Sequence, residues 1–216
     1  MNKPLLYSYF RSSCSYRVRV ALHYKNIDFE YRPIHLVKDG GEQLKDPYLK
    51  LNPKGEVPFF IDGDVGIGQS MAILLFLEDK YPQNPLVPKD PLKKAHCLQL
   101  CELINSGIQP IQNLKVLKYL VNELGQKDEI KAKWANHWIT EGFIALENFM
   151  KDLSADYCIG SELSLADCFL VPQVYNANRF KVGMDRFPHI NRVNENCLKL
   201  DCFQKADPAN QPDAQN

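Results

Sequence analysis

Hydroxyl, thiol and guanidinium side chains are concentrated near the N-terminus, where a strand pattern gives way to a helix pattern. The segment at positions 11–17 reads Arg-Ser-Ser-Cys-Ser-Tyr-Arg. Backbone N–H groups and the positive end of the helix dipole converge at a helix start, so this place stabilises an anion. The anion could be a thiolate, either that of Cys14 or that of a bound thiol cofactor, because a helix start favours the charged form of sulfur. The segment therefore predicts thiolate chemistry, because capping a helix needs only one such residue.

A dithiol redox site does not fit this turn. A thioredoxin-type turn requires a second cysteine three residues after the first, and Arg17 stands at that position. A serine hydroxyl could instead donate a hydrogen bond to the sulfur of a bound thiol. The residues alone leave open whether Cys14 or a bound thiol is the nucleophile.

Two later segments could complete a binding site around this turn. In Asn-Pro-Lys-Gly-Glu-Val-Pro at positions 52–58, a cis bond before Pro58 would offer the Val57 backbone to an extended peptide ligand. The alternative is a trans proline that only starts an edge strand. Further along, Gln69 and Ser70 begin a helix whose free N–H groups could bind a carboxylate, although many helices share this motif.

The elements that must position these segments follow the order βαβα and then ββα. A proline-containing stretch from Tyr81 to Pro91 then separates this pattern from a region of helical periodicity, which predicts a domain boundary. We predict a fold of α/β plus all-α class, with domains at 1–81 and 92–207, a linker at 82–91 and a disordered tail at 208–216. The predicted strands are Pro4–Phe10, Phe29–Ile34, Val57–Ile61 and Val65–Ile67, and the predicted helices follow Ser12 and cover Glu42–Leu51, Met71–Leu77, Lys93–Leu120 with a kink near Pro110, Ile130–Leu153 and the residues after Ser164 and Pro188. The last two strands form a predicted hairpin around Asp62-Gly63, and Ser164 with Asp167 has the form of a capping box.

Composition excludes several function classes. Basic and acidic residues number 26 each, so the chain has no global field to attract nucleic acid or an anionic membrane. We therefore expect a small-molecule partner or a second copy of the chain. Seven cysteines with no scaffold spacing, and no signal-peptide pattern, predict reduced thiols in the cytoplasm. Cys97 and Cys101 beside His96 could suggest a metal, but no second ligand pair supports one, so we predict none.

Five motifs resemble those of one enzyme family. They are Ser-Ser-Cys-Ser-x-Arg-Val-Arg from Ser12, Asn-Pro-x-Gly-x-Val-Pro from Asn52, Gln-Ser-x-Ala-Ile from Gln69, Gly-Ile-Gln-Pro-Ile-Gln-Asn-Leu from Gly107 and Val-Pro-Gln-Val-x-Asn-Ala-x-Arg-Phe from Val171. Together they resemble the zeta class of glutathione transferases, the maleylacetoacetate isomerases. The likeness extends from about Pro4 to Pro208. The first and last motifs are specific to the class, and the others indicate only the glutathione transferase fold.

This resemblance implies a thioredoxin-like domain that binds glutathione, a helical domain that completes the substrate pocket, and a homodimer. It implies that Ser12 holds the glutathione thiolate, with Ser13 and Cys14 also in the catalytic turn. Two departures from the family pattern, Gly68 and Tyr16, bear on cofactor affinity. The implied glutathione contacts are Ser12, Ser13, Cys14, Ser15, Tyr16, Arg17, Gln43, Val57, Gln69, Ser70, Gln109 and Asn113, and the implied substrate contacts are Arg11 and Arg179.

The implied reaction is the glutathione-dependent cis–trans isomerisation of maleylacetoacetate to fumarylacetoacetate in tyrosine and phenylalanine breakdown. One alternative is a glutathione transferase that acts on α-haloacids or other electrophiles. Thiol transfer through Cys14 and a non-catalytic glutathione-binding protein are further alternatives. For Arg179, the alternative is an arginine in solvent on a helix surface.

Overall fold

The computed structural model describes residues 3–214. The chain forms two compact units. The first contains the described chain up to Leu86 together with the segment from Lys199 onward, and the second is Val87–Leu198. The elements are β1 (Leu5–Ser8), α1 (Ser13–Tyr24), β2 (Glu30–Pro33), α2 (Asp46–Leu49), β3 (Phe59–Asp62), β4 (Val65–Gly68), α3 (Ser70–Lys80), α4 (Pro91–Asn105), α5 (Leu114–Asn122), α6 (Ile130–Leu153), α7 (Leu165–Arg179), α8 (Pro188–Leu198) and α9 (Asp201–Ala206), with short 3-10 turns at Lys38–Gly40, Glu42–Leu44, Met184–Arg186 and Pro208–Asn210.

The first unit is built on a mixed sheet of strand order β2-β1-β3-β4. β1 pairs with β2 in parallel, as a strand–helix–strand connection through α1 allows, and β3 pairs antiparallel with both β1 and β4. Leu6 and Phe60 are fully buried in adjacent strands and form part of the core. The predicted hairpin at Asp62-Gly63 is confirmed, and Gly63 adopts a φ of 63°, which glycine tolerates without strain.

Two predicted helices are interrupted in the structure. Glu42–Leu51 divides into a 3-10 turn and α2, because Pro47 lacks the N–H needed to continue a helix and favours a new helix start. Lys93–Leu120 divides into α4 and α5. The Asn113 side chain caps the start of α5, so the segment near Pro110 separates two helices rather than kinking one.

The second unit consists of helices α4–α8, and α6 has the predicted bounds. The predicted capping box at Ser164 is present, and the Asp167 carboxylate accepts hydrogen bonds from the N–H groups of Ser164 and Cys158, both at 2.8 Å. Burial raises the pKa of Asp167 above its usual range. Cys97 and Cys101 are both buried, and burial also raises the pKa of the Cys101 thiol. Residues 3–214 contain no group of three or more histidine, cysteine or acidic residues that could hold a metal ion.

The C-terminal segment differs from the predicted disordered tail. Its described part, up to Ala214, forms a 3-10 turn and buries Gln211 and Asp213, while residues 215 and 216 lie outside the described part of the chain. Polar contacts hold the segment in place, since the Gln211 amide donates to the carbonyls of Lys205 and Asp207 at 2.8 Å each. The boundary at 207 also differs, because α9 packs on α1 within the first unit.

Between residues 3 and 214, no helix combines the length and the apolar character that crossing a membrane requires.

Candidate active site

Ser12 occupies the N-cap of α1, as the sequence predicts. Its backbone is extended, with a φ of −72° and a ψ of 115°, and its N–H donates to the Tyr9 carbonyl at 2.9 Å. Its Oγ accepts the N–H of Ser15 at 3.2 Å. A hydroxyl that accepts through its oxygen can still donate its hydrogen. Ser12 therefore has a fixed oxygen and an available donor at the positive end of a helix.

The other residues of the turn separate into exposed and buried positions. Cys14, like Ser12, is partly exposed, whereas Ser13 and Ser15 are buried. The helix itself offers no acceptor for the N–H groups of Ser13 and Cys14, which belong to its first turn. Because Cys14 is accessible at the same helix start as Ser12, the structure keeps open the choice between these two side chains.

Both arginines of the turn are held by neighbouring groups in different ways. Arg11 donates from Nη2 to the Tyr9 hydroxyl at 2.7 Å, and its guanidinium lies over the Phe10 ring, 5.0 Å from the centroid. Arg17 is fully buried and donates from Nη1 to the Ser70 Oγ at 3.1 Å. This bond brings the start of α3 next to the start of α1. Two segments that the sequence assigns to one site thus lie side by side.

The predicted peptide-binding segment lies next to the same strand end. The Val57–Pro58 bond is cis, as predicted. Val57 is buried in a cluster with Tyr9, the residue that accepts the Ser12 N–H. Within residues 3–214, neither the N–H nor the carbonyl of Val57 forms a backbone hydrogen bond. The Val57 main chain is therefore able to pair with a ligand.

Three further predicted glutathione contacts, Gln69, Ser70 and Gln43, lie in the first unit. Gln69 has a φ of 66°, an uncommon conformation for a residue other than glycine that is often found at functional sites. Ser70 begins α3 and is buried against Arg17. Gln43 is buried, and its Oε1 has no partner in the described chain.

Tyr16 is buried, and its hydroxyl forms a hydrogen bond within the first unit. Its side chain is 1% exposed, and its hydroxyl donates to the Phe203 carbonyl at 3.5 Å. Its place among the predicted glutathione contacts stays a prediction, as it does for the buried Ser13, Ser15 and Arg17.

The remaining predicted site residues belong to the second unit. Gln109 is partly exposed in the segment between α4 and α5, and the Asn113 Oδ1 accepts the N–H of Lys115 at 3.2 Å. Arg179 is exposed at the end of α7, where its Nη1 donates to the Asn176 Oδ1 at 3.3 Å. The Arg179 guanidinium also lies over the Phe180 ring, 5.5 Å from the centroid. These contacts support its side chain while leaving it accessible.

Sequence reasoning missed Arg19 as a supporting residue of the turn. This arginine is fully buried and donates to the carbonyls of Phe10 and Ala206 at 3.1 and 3.0 Å, and to the Ser8 Oγ at 3.2 Å. Burial lowers its pKa to about 10, so it remains charged at neutral pH. The available signal was a second arginine on the apolar helix that begins at Ser13, where a buried charge needs several partners.

Family comparisons match both units. Residues 6–85 match the family described as "Glutathione S-transferase, N-terminal domain", and residues 97–201 match "Glutathione S-transferase, C-terminal domain". The chain is 51% identical to maleylacetoacetate isomerase of Dictyostelium discoideum, over 99% of this chain and 97% of the relative. It is 46% identical to a zeta-class glutathione S-transferase of Euphorbia esula, over 99% and 94%.

Two solved structures of isomerases are also similar to this chain. A maleylacetoacetate isomerase from Anaeromyxobacter dehalogenans, with glutathione bound in its active site, is 38% identical and superposes with a TM-score of 0.88 over 98% of both chains. A holo maleyl pyruvate isomerase, described as a bacterial zeta-class enzyme, is also 38% identical, with a TM-score of 0.94 over 97% of this chain and 99% of that one.

Proposed function

The chain belongs to the zeta class of the glutathione S-transferase family, and from this premise we propose that it isomerises maleylacetoacetate to fumarylacetoacetate with glutathione as a cofactor that is not consumed. The observation that carries the proposal is the Ser12 hydroxyl, fixed by Ser15 and free to donate at the start of α1. The pathway this implies is tyrosine and phenylalanine breakdown.

The residues of the first unit fit the parts of a glutathione molecule. The Val57 main chain lacks backbone partners and suits the cofactor's peptide groups. The start of α3, with Ser70 held by Arg17, suits a carboxylate. The unpartnered Gln43 Oε1 is a buried acceptor that a cofactor N–H could satisfy. When bound, glutathione supplies a thiolate that adds reversibly to the conjugated double bond, which allows rotation about that bond.

The protein's own contribution is electrostatic. Ser12 donates its hydroxyl hydrogen toward the sulfur position, and the helix dipole of α1 favours negative charge there. The first-turn N–H groups of Ser13 and Cys14 are fixed donors for charge that develops on a substrate carbonyl. Arg11 adds a positive charge beside the turn, and Arg179 is the residue to which we assign a substrate carboxylate.

Assembly and location form part of the same proposal. We assign a homodimer on the family resemblance, which sedimentation of the purified protein would check. A cytoplasmic location suits the seven cysteines, none of which forms a disulfide in the described part of the chain, and of which Cys14 is partly exposed.

The isomerase proposal predicts a reaction that needs glutathione and returns it. Purified protein should convert maleylacetoacetate only when glutathione is present, and the concentration of free thiol should be the same at the end as at the start. Product formation and thiol are measured in the same samples. Full rate without glutathione contradicts the proposal, and stoichiometric loss of the thiol would favour conjugation of electrophiles instead.

A further inference from the structure

Asp213, near the C-terminal end of the described chain, is a buried carboxylate with two partners. It is 5% exposed. Its Oδ1 accepts the Tyr31 hydroxyl at 2.7 Å, and its Oδ2 accepts the Phe10 N–H at 3.0 Å. Burial, followed by the hydrogen bond to Asp213, raises the pKa of Tyr31, so the phenol stays protonated and donates. A buried carboxylate is costly unless hydrogen bonds satisfy it, and Asp213 has two such bonds.

The Phe10 main chain is fixed on both sides. Asp213 accepts its N–H, and Arg19 donates from Nη2 to its carbonyl at 3.1 Å. Arg19 cannot easily move, because it is fully buried and also donates to Ala206 at 3.0 Å. Phe10 lies two residues before Ser12, whose own N–H donates to Tyr9 at 2.9 Å. The position of Ser12 thus depends on the peptide groups that Asp213 and Arg19 hold.

The path of the tail delivers Asp213 to this place. The Asp207 carboxylate accepts the Ala209 N–H at 2.8 Å and caps the 3-10 turn at Pro208–Asn210. The Gln211 side chain then ties the chain back to Lys205. A polar chain end normally frays unless it is held by such contacts. Here the contacts end in one carboxylate aimed at the strand end before Ser12.

We propose that Asp213 is a positioning residue for Ser12, acting through the Phe10 peptide group. The proposal rests on the function assigned to Ser12 above. Asp213 does not touch the reacting atoms. It fixes the backbone from which the Ser12 hydroxyl projects, and small displacements of such a donor reduce catalysis strongly. The tail of this enzyme is therefore a part of its active-site scaffold.

Four full-length variants and one shortened chain test the proposal. Asp213→Ala removes the acceptor for Phe10. Asp213→Asn restores an acceptor for the Phe10 N–H, because the amide oxygen can accept this hydrogen while the NH₂ group donates to the Tyr31 oxygen. Tyr31→Phe weakens the attachment of the tail but leaves the Phe10 bond in place. Asp201→Ala is the matched control, since it removes an exposed carboxylate paired with Lys205. A chain that ends at Gln211 is the second test if Asp213→Ala does not fold.

Two readouts separate positioning from stability. The first is kcat for isomerisation at saturating glutathione, per folded enzyme. The second is the pH at which the thiol of bound glutathione ionises, followed by its ultraviolet thiolate absorbance without substrate. We expect Asp213→Ala and the shortened chain to lower kcat roughly tenfold. In both, the pH at which the thiol of bound glutathione ionises should rise by roughly one unit. Asp213→Asn, Tyr31→Phe and Asp201→Ala should stay within about twofold of the parent chain.

Each outcome has a distinct meaning. Unchanged kcat and ionisation in both Asp213→Ala and the shortened chain overturn the proposal. An equal kinetic loss in Tyr31→Phe also overturns it, because tail attachment in general would then be the cause. If the parent chain binds glutathione but does not isomerise the substrate, the proposed function fails. The shift in thiol ionisation would still decide the positioning role.

Discussion

Ser12 and Cys14, at the start of α1, are the two candidates for the main catalytic side chain. Both are partly exposed, and both can approach a bound thiol. Within residues 3–214, the Ser12 hydroxyl is oriented by a hydrogen bond, because its oxygen accepts the Ser15 N–H. A donor that is already oriented in the free protein costs little to organise when the thiolate binds. This favours Ser12 as the group that stabilises the sulfur.

We expect Ser12→Ala to lower the isomerase rate at saturating glutathione by very roughly ten- to a hundredfold. The loss corresponds to one charge-assisted hydrogen bond of about 1.5–3 kcal/mol. The same change removes an N-cap, which costs about 1 kcal/mol of folding stability. Cys14→Ser should keep much of the activity. Initial rates of the two variants at saturating glutathione give the comparison.

Asp90→Ala provides a control for the lost cap. The Asp90 carboxylate caps α4 by accepting the Lys93 N–H at 2.8 Å, outside the predicted site. Its loss should lower stability by a similar amount and leave the rate unchanged. The assignment would be reversed by an inactive Cys14→Ser beside a nearly normal Ser12→Ala. In that case the Cys14 thiolate itself would be the nucleophile.

The role that we propose for Arg179 is to bind a substrate carboxylate. Arg179→Ala should raise the KM for a dicarboxylate substrate, since a charge-assisted bond of about 1.5–3 kcal/mol is lost, while glutathione affinity changes little. Arg186→Ala is the matched control, because Arg186 is also exposed in the second unit and lies over a phenylalanine ring. Steady-state kinetics and glutathione titration measure the two effects. Equal loss of both affinities would identify Arg179 as structural.

At the scale of elements, the end of α1 is fixed by a buried lysine. The Lys25 side chain is fully buried, forms an ion pair with Glu78 and donates to the Tyr81 carbonyl at 2.9 Å. It also donates to the carbonyls of Gln83 and Asn84, both at 3.2 Å. One side chain therefore joins α1, α3 and the chain that follows α3. Removing the Lys25 ammonium would leave the Glu78 carboxylate, which is mostly buried, without the cation of this ion pair.

We expect Lys25→Met to lower the free energy of unfolding by about 3–5 kcal/mol, the usual cost of removing one partner of a buried ion pair. Urea denaturation measures it. Lys205→Met, which breaks an exposed pair with Asp201, should cost under about 1 kcal/mol. Similar losses of unfolding free energy in the two variants would show that the buried ion pair of Lys25 stabilises the fold no more than the exposed pair of Lys205.

Local signals predicted the elements that depend on local chemistry. The α6 bounds, the hairpin at Gly63 and the capping box at Ser164 each follow from periodicity or a turn residue within a few positions. The order of the C-terminal tail could not be found in this way. It depends on bonds from Asp213 to Phe10 and Tyr31, which lie 203 and 182 residues away in sequence.

The same distinction applies to the site. The candidate catalytic residues of the turn at Ser12 are consecutive, so the sequence alone is enough to suggest them. Arg19 contacts the residues before that turn from a helix interior, and Asp213 contacts them from near the C-terminus. Arg19 ends the first of the five motifs, but the motif does not indicate its partners, and Asp213 belongs to none of the motifs. Their partners are main-chain groups, which every residue possesses, and the sequence cannot indicate which of these are used.

At the scale of the whole molecule, the C-terminal helix α9 belongs to the unit that begins the chain. Phe203 is fully buried, and its carbonyl accepts the Tyr16 hydroxyl of α1. The Ala206 carbonyl at the end of α9 accepts from Arg19. The last helix thus packs against α1 in the core of the first unit, although it follows the helical unit in sequence.

We therefore expect Phe203→Ala to loosen α1 before it loosens the helices that precede α9 in sequence. The lost packing should cost about 3–5 kcal/mol, and amide hydrogen exchange should rise first in α1. Phe187→Ala is the matched control, because Phe187 is 1% exposed and contacts Phe143 of α6 with ring centroids 5.6 Å apart. In that variant the first rise should occur in α6. A loss of protection in Phe203→Ala that spares α1 and begins in α6 would contradict the assignment of α9 to the first unit.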